Sequence, residues 1–278
     1  MTPHASPPRV VLICHERDSL DREGLARWLA GTMQLAGIVA IRDDRHRLTR
    51  AIRRELRRSG VIGFTDVLAM RLYARLRLAR QEAAWRRGTI DRLRRLYPVD
   101  LGAVPHLAVP DPNTAEARDF IAARAPDLIL ARCKFILRPE IFELAARGAF
   151  ALHPGICPEY RNAHGCFWAL VNRDRERVGM SLLRIDRGVD TGPIYLQTGC
   201  DFDEIRDSYI VIQHRVVFEN LDAIGRVLAA LARGEAVAPL ATAGRRSAAW
   251  GQPRLSDYLR WQRAARRERR VHGVAAVP

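Results

Sequence analysis

Short apolar runs alternate with helix-like segments through the first two thirds of the chain, and this alternation limits the fold more than any other feature. Four runs are predominantly apolar: RVVLIC, LAGIVAI, DLILARC and AFAL. They lack the polar alternation of a half-exposed strand, so each is typical of a strand buried on both faces. Strands of this kind, separated by helices, predict an α/β fold: a Rossmann-like, mostly parallel sheet with helices on both faces.

Helix-end signals support this alternation. Asn113 is followed by Glu116 three residues later, which has the form of a capping box and predicts a helix that starts there. Pro139 and Gly148 suit the usual first and last positions of a helix. We therefore expect one helix before the run DLILARC and another directly after it.

The later elements divide the chain in two. A helix is expected over 163–172, strands over 178–186 and 193–199, one amphipathic helix over 209–232, and then a loop, a short helix and a polar tail that frays. The sequence predicts a domain over 1–200 and, over 201–278, a short helical C-terminal extension.

The stretch 42–95 is helical in pattern and strongly basic. A break is expected between Gly60 and Gly63, and 17 arginines stand against 6 acidic residues, whereas the whole chain has a net charge of +15. Such a face suits tRNA, an acidic carrier protein, a nucleotide or an anionic membrane. Because Lys134 is the only lysine, a general bias towards arginine is the favoured explanation of this charge. The apolar residues at helical spacing are Ile52, Leu56, Leu68, Leu72 and Leu76.

Targeting and redox signals are few. No apolar run approaches the roughly 18 residues that cross a bilayer, and the first residues do not resemble a signal peptide. The five cysteines are too irregularly spaced for a disulfide framework. We expect a cytoplasmic protein with reduced cysteines and no membrane partner, and its oligomeric state stays open.

The stretch FALHPGICPEYRNAHGCFWAL concentrates the residues that could carry chemistry. His153, Cys157, His164 and Cys166 are possible zinc ligands, but their spacing matches no common zinc site, and the prolines and glycines indicate a loop ordered by its backbone. Cys157 or Cys166 beside a histidine could act as a nucleophile, although buried cysteines are more often inert. A third interpretation uses His153 and the surrounding backbone.

Two separated motifs favour the third interpretation. HPGICPEYR starts at His153, and IDRGVDTGPI contains Asp190, 37 residues later. Together they resemble the folate-dependent formyltransferase family, which includes methionyl-tRNA, glycinamide ribonucleotide and amino-sugar formyltransferases. The resemblance covers residues 9–200. It implies an enzyme that uses 10-formyltetrahydrofolate as formyl donor and needs no metal.

The resemblance also implies roles for individual residues. His153 would relay protons beside the reacting carbon, and Asp190 would hold that histidine charged and position a water. The side chains expected on the donor side are Phe135, Ile136, Leu137 and Val189. Those expected to meet the acceptor are Arg161, Asn162 and His164.

Ala151 departs from the family pattern. In the family this position holds an asparagine, whose side chain donates a hydrogen bond to the oxyanion. Losing such a donor typically costs about 10²–10³ in rate. Three explanations stay open. Asn162, His164 or a backbone N–H has taken over the role, the chemistry has changed, or the domain binds without catalysis.

The acceptor is expected to be a small amine, with a sugar- or nucleotide-linked one the best fit. Methionyl-tRNA formyltransferases carry an additional β-barrel, whereas the residues after Gly199 have a helical pattern, so tRNA is the less favoured partner. The alternatives are a catalytically disabled or repurposed binding protein, a formyltetrahydrofolate hydrolase and a methionyl-tRNA formyltransferase-like enzyme.

Overall fold

A computed structural model of the chain describes residues 7–42 and 45–271, and a seven-stranded sheet runs through this part. The strands of the sheet are β1 (Arg9–His15), β2 (Gln34–Ile41), β3 (His106–Val109), β4 (Leu128–Arg132), β5 (Gly148–His153), β7 (Gly179–Arg184) and β8 (Ile194–Gly199). Two short strands, β6 (Arg161–Asn162) and β9 (Ala249–Trp250), pair with each other outside it.

The order of the sheet is β3-β2-β1-β4-β5-β7-β8. The first five strands are parallel, and β7 and β8 are added antiparallel at one edge. The predicted α/β fold is therefore confirmed. Strand β3 was not predicted; its sequence, HLAV, lies between prolines and only its last residue is fully buried.

Helices connect the strands and follow the last strand of the sheet. They are α1 (Ala26–Thr32), α2 (Arg45–Tyr73), α3 (Ala79–Leu96), α4 (Ala115–Ala122), α5 (Pro139–Phe142), α6 (Gly165–Val171), α7 (Tyr209–Phe218), α8 (Leu221–Ala232) and α9 (Leu255–Val271). A π-helical turn, Leu20–Leu25, precedes α1, and a second one, Ala74–Leu78, joins α2 to α3. A 3₁₀ turn spans Arg175–Arg177. Inside α2, Gly60 has φ +67° and ψ 177°, so the predicted break is confirmed there.

Both faces of the sheet are covered, as the apolar runs predicted. Alternate residues of β1 belong to different cores: Val10 and Leu12 pack with Trp28 of α1, while Val11 and Ile13 pack with Ile121 of α4. The first core also contains apolar residues of α6, α7, α8 and α9. Because strand side chains alternate between faces, two unbroken cores require the continuous apolar runs seen in the sequence.

The prediction of one helix over 209–232 is wrong in one respect, because two helices span these residues. Asn220 separates α7 from α8, with φ −112° and ψ 14°. Its side-chain amide donates to the carbonyls of Gly199 (2.8 Å) and Val216 (3.0 Å). An asparagine that satisfies neighbouring carbonyls with its side chain competes with the helical backbone, and here it ends the helix.

Two helix ends also differ from the prediction. Thr114, not Asn113, caps α4, because its hydroxyl accepts the N–H of Ala117. Asn113 instead accepts the N–H of Arg138 (2.7 Å) and donates to the carbonyl of Ile136 (3.1 Å), which ties it to the loop after β4. The helix expected over 139–148 is the single turn α5, and Gly148, with φ +119°, opens β5.

The C-terminal extension is helical as expected, but its last helix is long. Helix α9 has 17 residues, and Trp261, only 1% exposed, lies in the first core beside Phe167. Its indole N–H donates to Glu204 (2.9 Å). The end of the predicted polar tail, 272–278, lies outside the described residues. The boundary expected at residue 200 stays a prediction.

No helix in residues 7–42 and 45–271 combines the length and the apolar character needed to cross a bilayer.

Replacing Trp261 with alanine is expected to lower the free energy of unfolding by about 3–5 kcal/mol, because it leaves a large cavity in the core and removes one hydrogen bond to Glu204. Urea denaturation measures the change. Arg263, exposed on the same helix, supplies the control: Arg263→Ala is expected to change stability by less than about 0.5 kcal/mol. Equal small effects of both substitutions would show that α9 is not part of the core.

Candidate active site

His153 is the last residue of β5, at the carboxyl edge of the parallel strands. In open α/β sheets this edge is where ligands bind. The imidazole is buried, and its Nε2 lies 2.9 Å from the carbonyl oxygen of Tyr160. Since a carbonyl oxygen only accepts, Nε2 carries the hydrogen in this contact. The other ring nitrogen, Nδ1, is therefore the atom available for proton exchange.

Asp190 faces that nitrogen from the loop between β7 and β8. Its Oδ2 lies 3.6 Å from Nδ1 of His153, and the same oxygen accepts the N–H of Asn162 at 2.7 Å. Asp190 has φ +51°, a left-handed conformation that aspartate tolerates better than most residues. The preceding turn is held by Asp186, which accepts the N–H of Gly188 (2.9 Å) and the hydroxyl of Thr191 (2.8 Å).

The loop from Pro154 to Tyr160 is ordered by hydrogen bonds with neighbouring strands. The buried Ser181 hydroxyl on β7 accepts the N–H of Cys157 (3.0 Å) and donates to the carbonyl of Gly155 (2.8 Å). Gln197 on β8 donates to the carbonyl of Cys157 (2.5 Å). A β-carbon on Gly155 would lie 2.7 Å from Nε2 of His153, so this position admits only glycine without displacement.

Arg161 and Asn162, predicted to meet the acceptor, also join the loop to its surroundings. Arg161 donates to the carbonyl of Val189 (3.0 Å), one residue before Asp190. The side-chain amide of Asn162 donates to the carbonyl of Trp250 (2.6 Å). Both residues form β6, which pairs with β9. The Arg161 side chain and the backbone N–H of Asn162 therefore connect the motif containing His153 with the one containing Asp190, and the Asn162 side chain connects the loop to Trp250.

The segment around Trp250 is the part of the site that the sequence did not indicate. The ring of Trp250 stacks between Tyr160 (centroids 5.8 Å) and Trp168 (5.0 Å), and its indole N–H donates to the carbonyl of Glu159 (2.9 Å). Arg245 reinforces this by pairing with the carboxylate of Glu159. A tryptophan in an otherwise polar segment, SAAWGQP, was the only available signal.

The four residues expected on the donor side differ in accessibility. Ile136 is 60% exposed and Val189 is also exposed, whereas Leu137 is buried in the second core and Phe135 packs at its margin. A ligand can reach the first two side chains directly. Leu137 can contribute only through its backbone, while its side chain supports the loop from within.

Ala151 lies two residues before His153 and on the same face of β5. It pairs with Ala131 on β4 and with Leu183 on β7, and it packs against the small apolar cluster of Cys157, Leu183 and Ile194. These neighbours supply no polar side chain. The strand therefore offers no substitute donor at this position.

His164, which was predicted to meet the acceptor, has one ring nitrogen that makes no direct hydrogen bond in the described structure. It adopts a left-handed conformation (φ +60°) directly before α6. This nitrogen is the buried Nδ1, although the side-chain amides of Gln213 and Gln252 lie near the ring. Burial, together with the nearby charge of Lys134, lowers the pKa of His164 to about 4. The ring is thus neutral near pH 7 and able to donate one N–H. Asn162, by contrast, already uses its N–H and side-chain amide.

The cysteines do not form the thiolate site that was considered. Burial raises the pKa of the Cys157 and Cys166 thiols well above the ordinary range. The Cys166 thiol donates to the carbonyl of Gly179 (3.2 Å). In the part of the chain that the structure describes, no group of three or more His, Cys, Asp or Glu side chains could hold a metal ion.

Comparison with known proteins gives the same result as the motifs. The family model for formyl transferase matches residues 106–228, a stretch from β3 into α8 that contains His153 and Asp190. Residues 106–228 are therefore similar to the formyl transferase family. The match starts later than the predicted resemblance, which began at residue 9, and extends beyond its end at residue 200.

Two curated relatives illustrate the similarity. The GDP-perosamine N-formyltransferase of Brucella melitensis is 32% identical over 124 residues, which is 44% of this chain and 47% of the relative. The methionyl-tRNA formyltransferase of Chlorobium limicola is 35% identical over 98 residues, 35% of this chain and 30% of the relative. The chain thus spans less than half the length of these relatives.

Solved structures support the fold. A sugar N-formyltransferase from a Shewanella species aligns with 92% of this chain and 87% of its own, with a TM-score of 0.53 and 13% identity. The phosphoribosylglycinamide formyltransferase of Anaplasma phagocytophilum aligns with 89% of this chain and all of its own, with a TM-score of 0.53 and 12% identity. At such identities the likeness concerns the fold.

Replacing Ser181 with alanine is expected to lower the free energy of unfolding by about 1–3 kcal/mol, because it leaves the N–H of Cys157 and the carbonyl of Gly155 without their shared partner. Urea denaturation measures this effect. Ser247→Ala, at an exposed position, is the matched control and should be nearly neutral. If the two variants were equally stable, the hydroxyl bridge would not order the loop.

Proposed function

We propose that this chain transfers a formyl group from 10-formyltetrahydrofolate to the amine of a small acceptor. The observation that carries the proposal is the position of His153 Nδ1, 3.6 Å from Asp190, at the carboxyl edge of the sheet. The two groups come from motifs 37 residues apart, and both lie in the stretch that matches the formyl transferase family. Their convergence on one point favours a shared role in proton transfer.

In this mechanism the acceptor amine attacks the formyl carbon, a carbon–nitrogen bond forms, and the carbonyl oxygen becomes an oxyanion. The new ammonium loses a proton to Nδ1 of His153, and Asp190 stabilises the resulting imidazolium. His153 then returns a proton to the folate nitrogen as the old carbon–nitrogen bond breaks. The hydrogen bond from Nε2 to the Tyr160 carbonyl keeps the ring oriented throughout.

Ala151 requires a different oxyanion donor. We propose His164, because its ring is neutral, buried and without a direct hydrogen bond at Nδ1 in the described structure. A backbone N–H of the loop after β5 is the other source. Preorganised donors of either kind act strongly in a site that excludes water.

The acceptor is proposed to be a sugar- or nucleotide-linked amine. The similarity to a GDP-perosamine N-formyltransferase supports a sugar, and the similarity to methionyl-tRNA formyltransferases keeps tRNA as the alternative. In this proposal residues 1–200 form the catalytic domain, while the extension 201–278 contributes Trp250 and Arg245 to the loop beside the site. A cytoplasmic location remains part of the proposal.

One observation favours a second candidate function. The apolar surroundings of Ala151 suit a protein that binds formyltetrahydrofolate without transferring the formyl group. A hydrolase, with water as the acceptor, is the other alternative. Formyltetrahydrofolate consumption without an amine would indicate the hydrolase, and binding without consumption would indicate the binding protein.

His153→Gln and Asp190→Asn are each expected to lower the rate of 10-formyltetrahydrofolate consumption about 10²–10⁴-fold, because proton transfer loses its relay or its counter-charge. The assay measures consumption with and without a panel of amines. His106→Gln and Asp201→Asn, at exposed positions, are the matched controls and should retain full activity. Unchanged turnover in the His153 variant would overturn the proposed mechanism.

Ala151→Asn is expected to raise the rate about 10²–10³-fold if the oxyanion lacks a donor in the parent chain, and to change it little if His164 has replaced that donor. Ala151→Val, which adds bulk without a donor, separates the chemical effect from packing. His164→Phe completes the set, since it should lower the rate only where His164 is the donor. Urea denaturation checks that all three variants fold.

A further inference from the structure

Helix α2 has a buried face that packs onto the C-terminal helix α9. Val67 and Met70 are buried there, and the ring of Tyr73 packs against Tyr258 with centroids 5.2 Å apart. Asp66 accepts the N–H of Ser256 at 3.0 Å. These contacts hold α2 in place and determine which of its faces points away from the protein.

The opposite face presents a row of apolar side chains to solvent. Val61 is 69% exposed, Leu68 43%, Leu72 58% and Leu76 68%, and the exposed Thr65 lies between the first two. These five residues, four of them apolar, recur at intervals of four, three, four and four along α2 and the π-helical turn that continues it, so they form one stripe along roughly 22 Å. We call them the outer stripe. Monomeric proteins seldom expose such continuous apolar rows without a partner.

The charges beside the outer stripe are of one sign. Between residues 60 and 80 the basic side chains are Arg71, Arg75, Arg77 and Arg80, all exposed, and the single carboxylate is Asp66, which bonds to Ser256. A second copy of this chain would place arginines against arginines, which is unfavourable across a helical seam. A surface with acidic flanks would be complementary.

The width of the outer stripe indicates whether its partner is another helix or a bilayer. One apolar residue per turn is the narrow seam of paired helices, whereas helices that lie in a membrane interface bury a broad apolar face. The spacing of three and four residues is also that of knobs-into-holes packing. Both features favour a single helix as the occupant.

We propose that the outer stripe of α2 docks an acidic amphipathic helix of a partner protein. Leucines or similar residues of the partner would pack between Leu68, Leu72 and Leu76, and its glutamates or aspartates would pair with Arg71 and Arg75. Arg71 lies near enough to His164 to help lower its pKa. The leucines and Arg75, which are not among the proposed catalytic residues, therefore test binding separately from catalysis.

The test uses the full chain and synthetic peptides of about three heptads with leucine seams. One peptide has glutamate flanks, one has lysine flanks, and one has glutamate flanks with serine in place of the leucines. Fluorescence anisotropy is expected to show binding of the first peptide alone. Its Kd should rise several-fold between about 0.05 M and about 0.3 M salt, because screening weakens the charge pairs.

Substitutions in the chain then locate the contact. The double variant Leu68→Ser with Leu72→Ser should weaken binding at least about tenfold, while Leu96→Ser, at another exposed leucine, should not. Arg75→Glu should reduce affinity for the glutamate peptide and raise it for the lysine peptide, while the exposed Arg95→Glu should leave both unchanged. All variants should retain the parent's melting temperature.

Three outcomes would overturn the proposal. The first is equal binding of the glutamate and serine-seam peptides. The second is a dimer of the chain, detected by sedimentation, that Leu72→Ser dissociates. The third is tighter binding to vesicles of anionic lipid than to the glutamate peptide, lost in the same leucine variants. Loss of 10-formyltetrahydrofolate consumption would bear only on the proposed function.

Discussion

The hydrogen bond from the N–H of Asn162 to Asp190 is the contact on which the site depends. It joins the loop after β5 to the loop between β7 and β8 at 2.7 Å. On its other side Asn162 bonds to the carbonyl of Trp250, so three distant parts of the chain meet at one residue. This junction bonds directly to the Asp190 carboxylate, whereas the contacts of Arg161 with Val189 and of Asp186 with Gly188 hold the turn around it.

The backbone at this junction is held in unusual conformations. Asn162, His164 and Asp190 all have positive φ, of +73°, +60° and +51°. A non-glycine residue in the left-handed region costs about 1–2 kcal/mol, and such residues persist where the surroundings determine them and cluster at functional sites. Here the determining contacts are those of Asn162 with Asp190 and Trp250. Their concentration around His153 favours a site that is preorganised for reaction.

Local patterns predicted six of the seven strands of the sheet and drew attention to His153 and Asp190, which the fold brings together, but they did not predict the features that depend on distant contacts. Each buried strand is an apolar run, and His153 and Asp190 lie in motifs that can be recognised without a structure. The end of α7 at Asn220, by contrast, depends on the carbonyl of Gly199 on β8. The place of Trp250 depends on stacking with Tyr160 and Trp168. The spacing and composition of the sequence do not indicate which distant residues will make such contacts.

In the proposed reaction the oxyanion donor that Ala151 cannot supply must come from outside β5, and the structure of the sheet explains why. Ala151 has Ala131 on one side and Leu183 on the other, and neither side chain can donate a hydrogen bond. The N–H groups of a central strand are already used by its neighbours. A developing oxyanion near His153 therefore depends on groups at the strand's end, namely the loop backbone and the start of α6. In the proposed mechanism His164, which directly precedes α6 in a left-handed conformation, is the side chain assigned to this role.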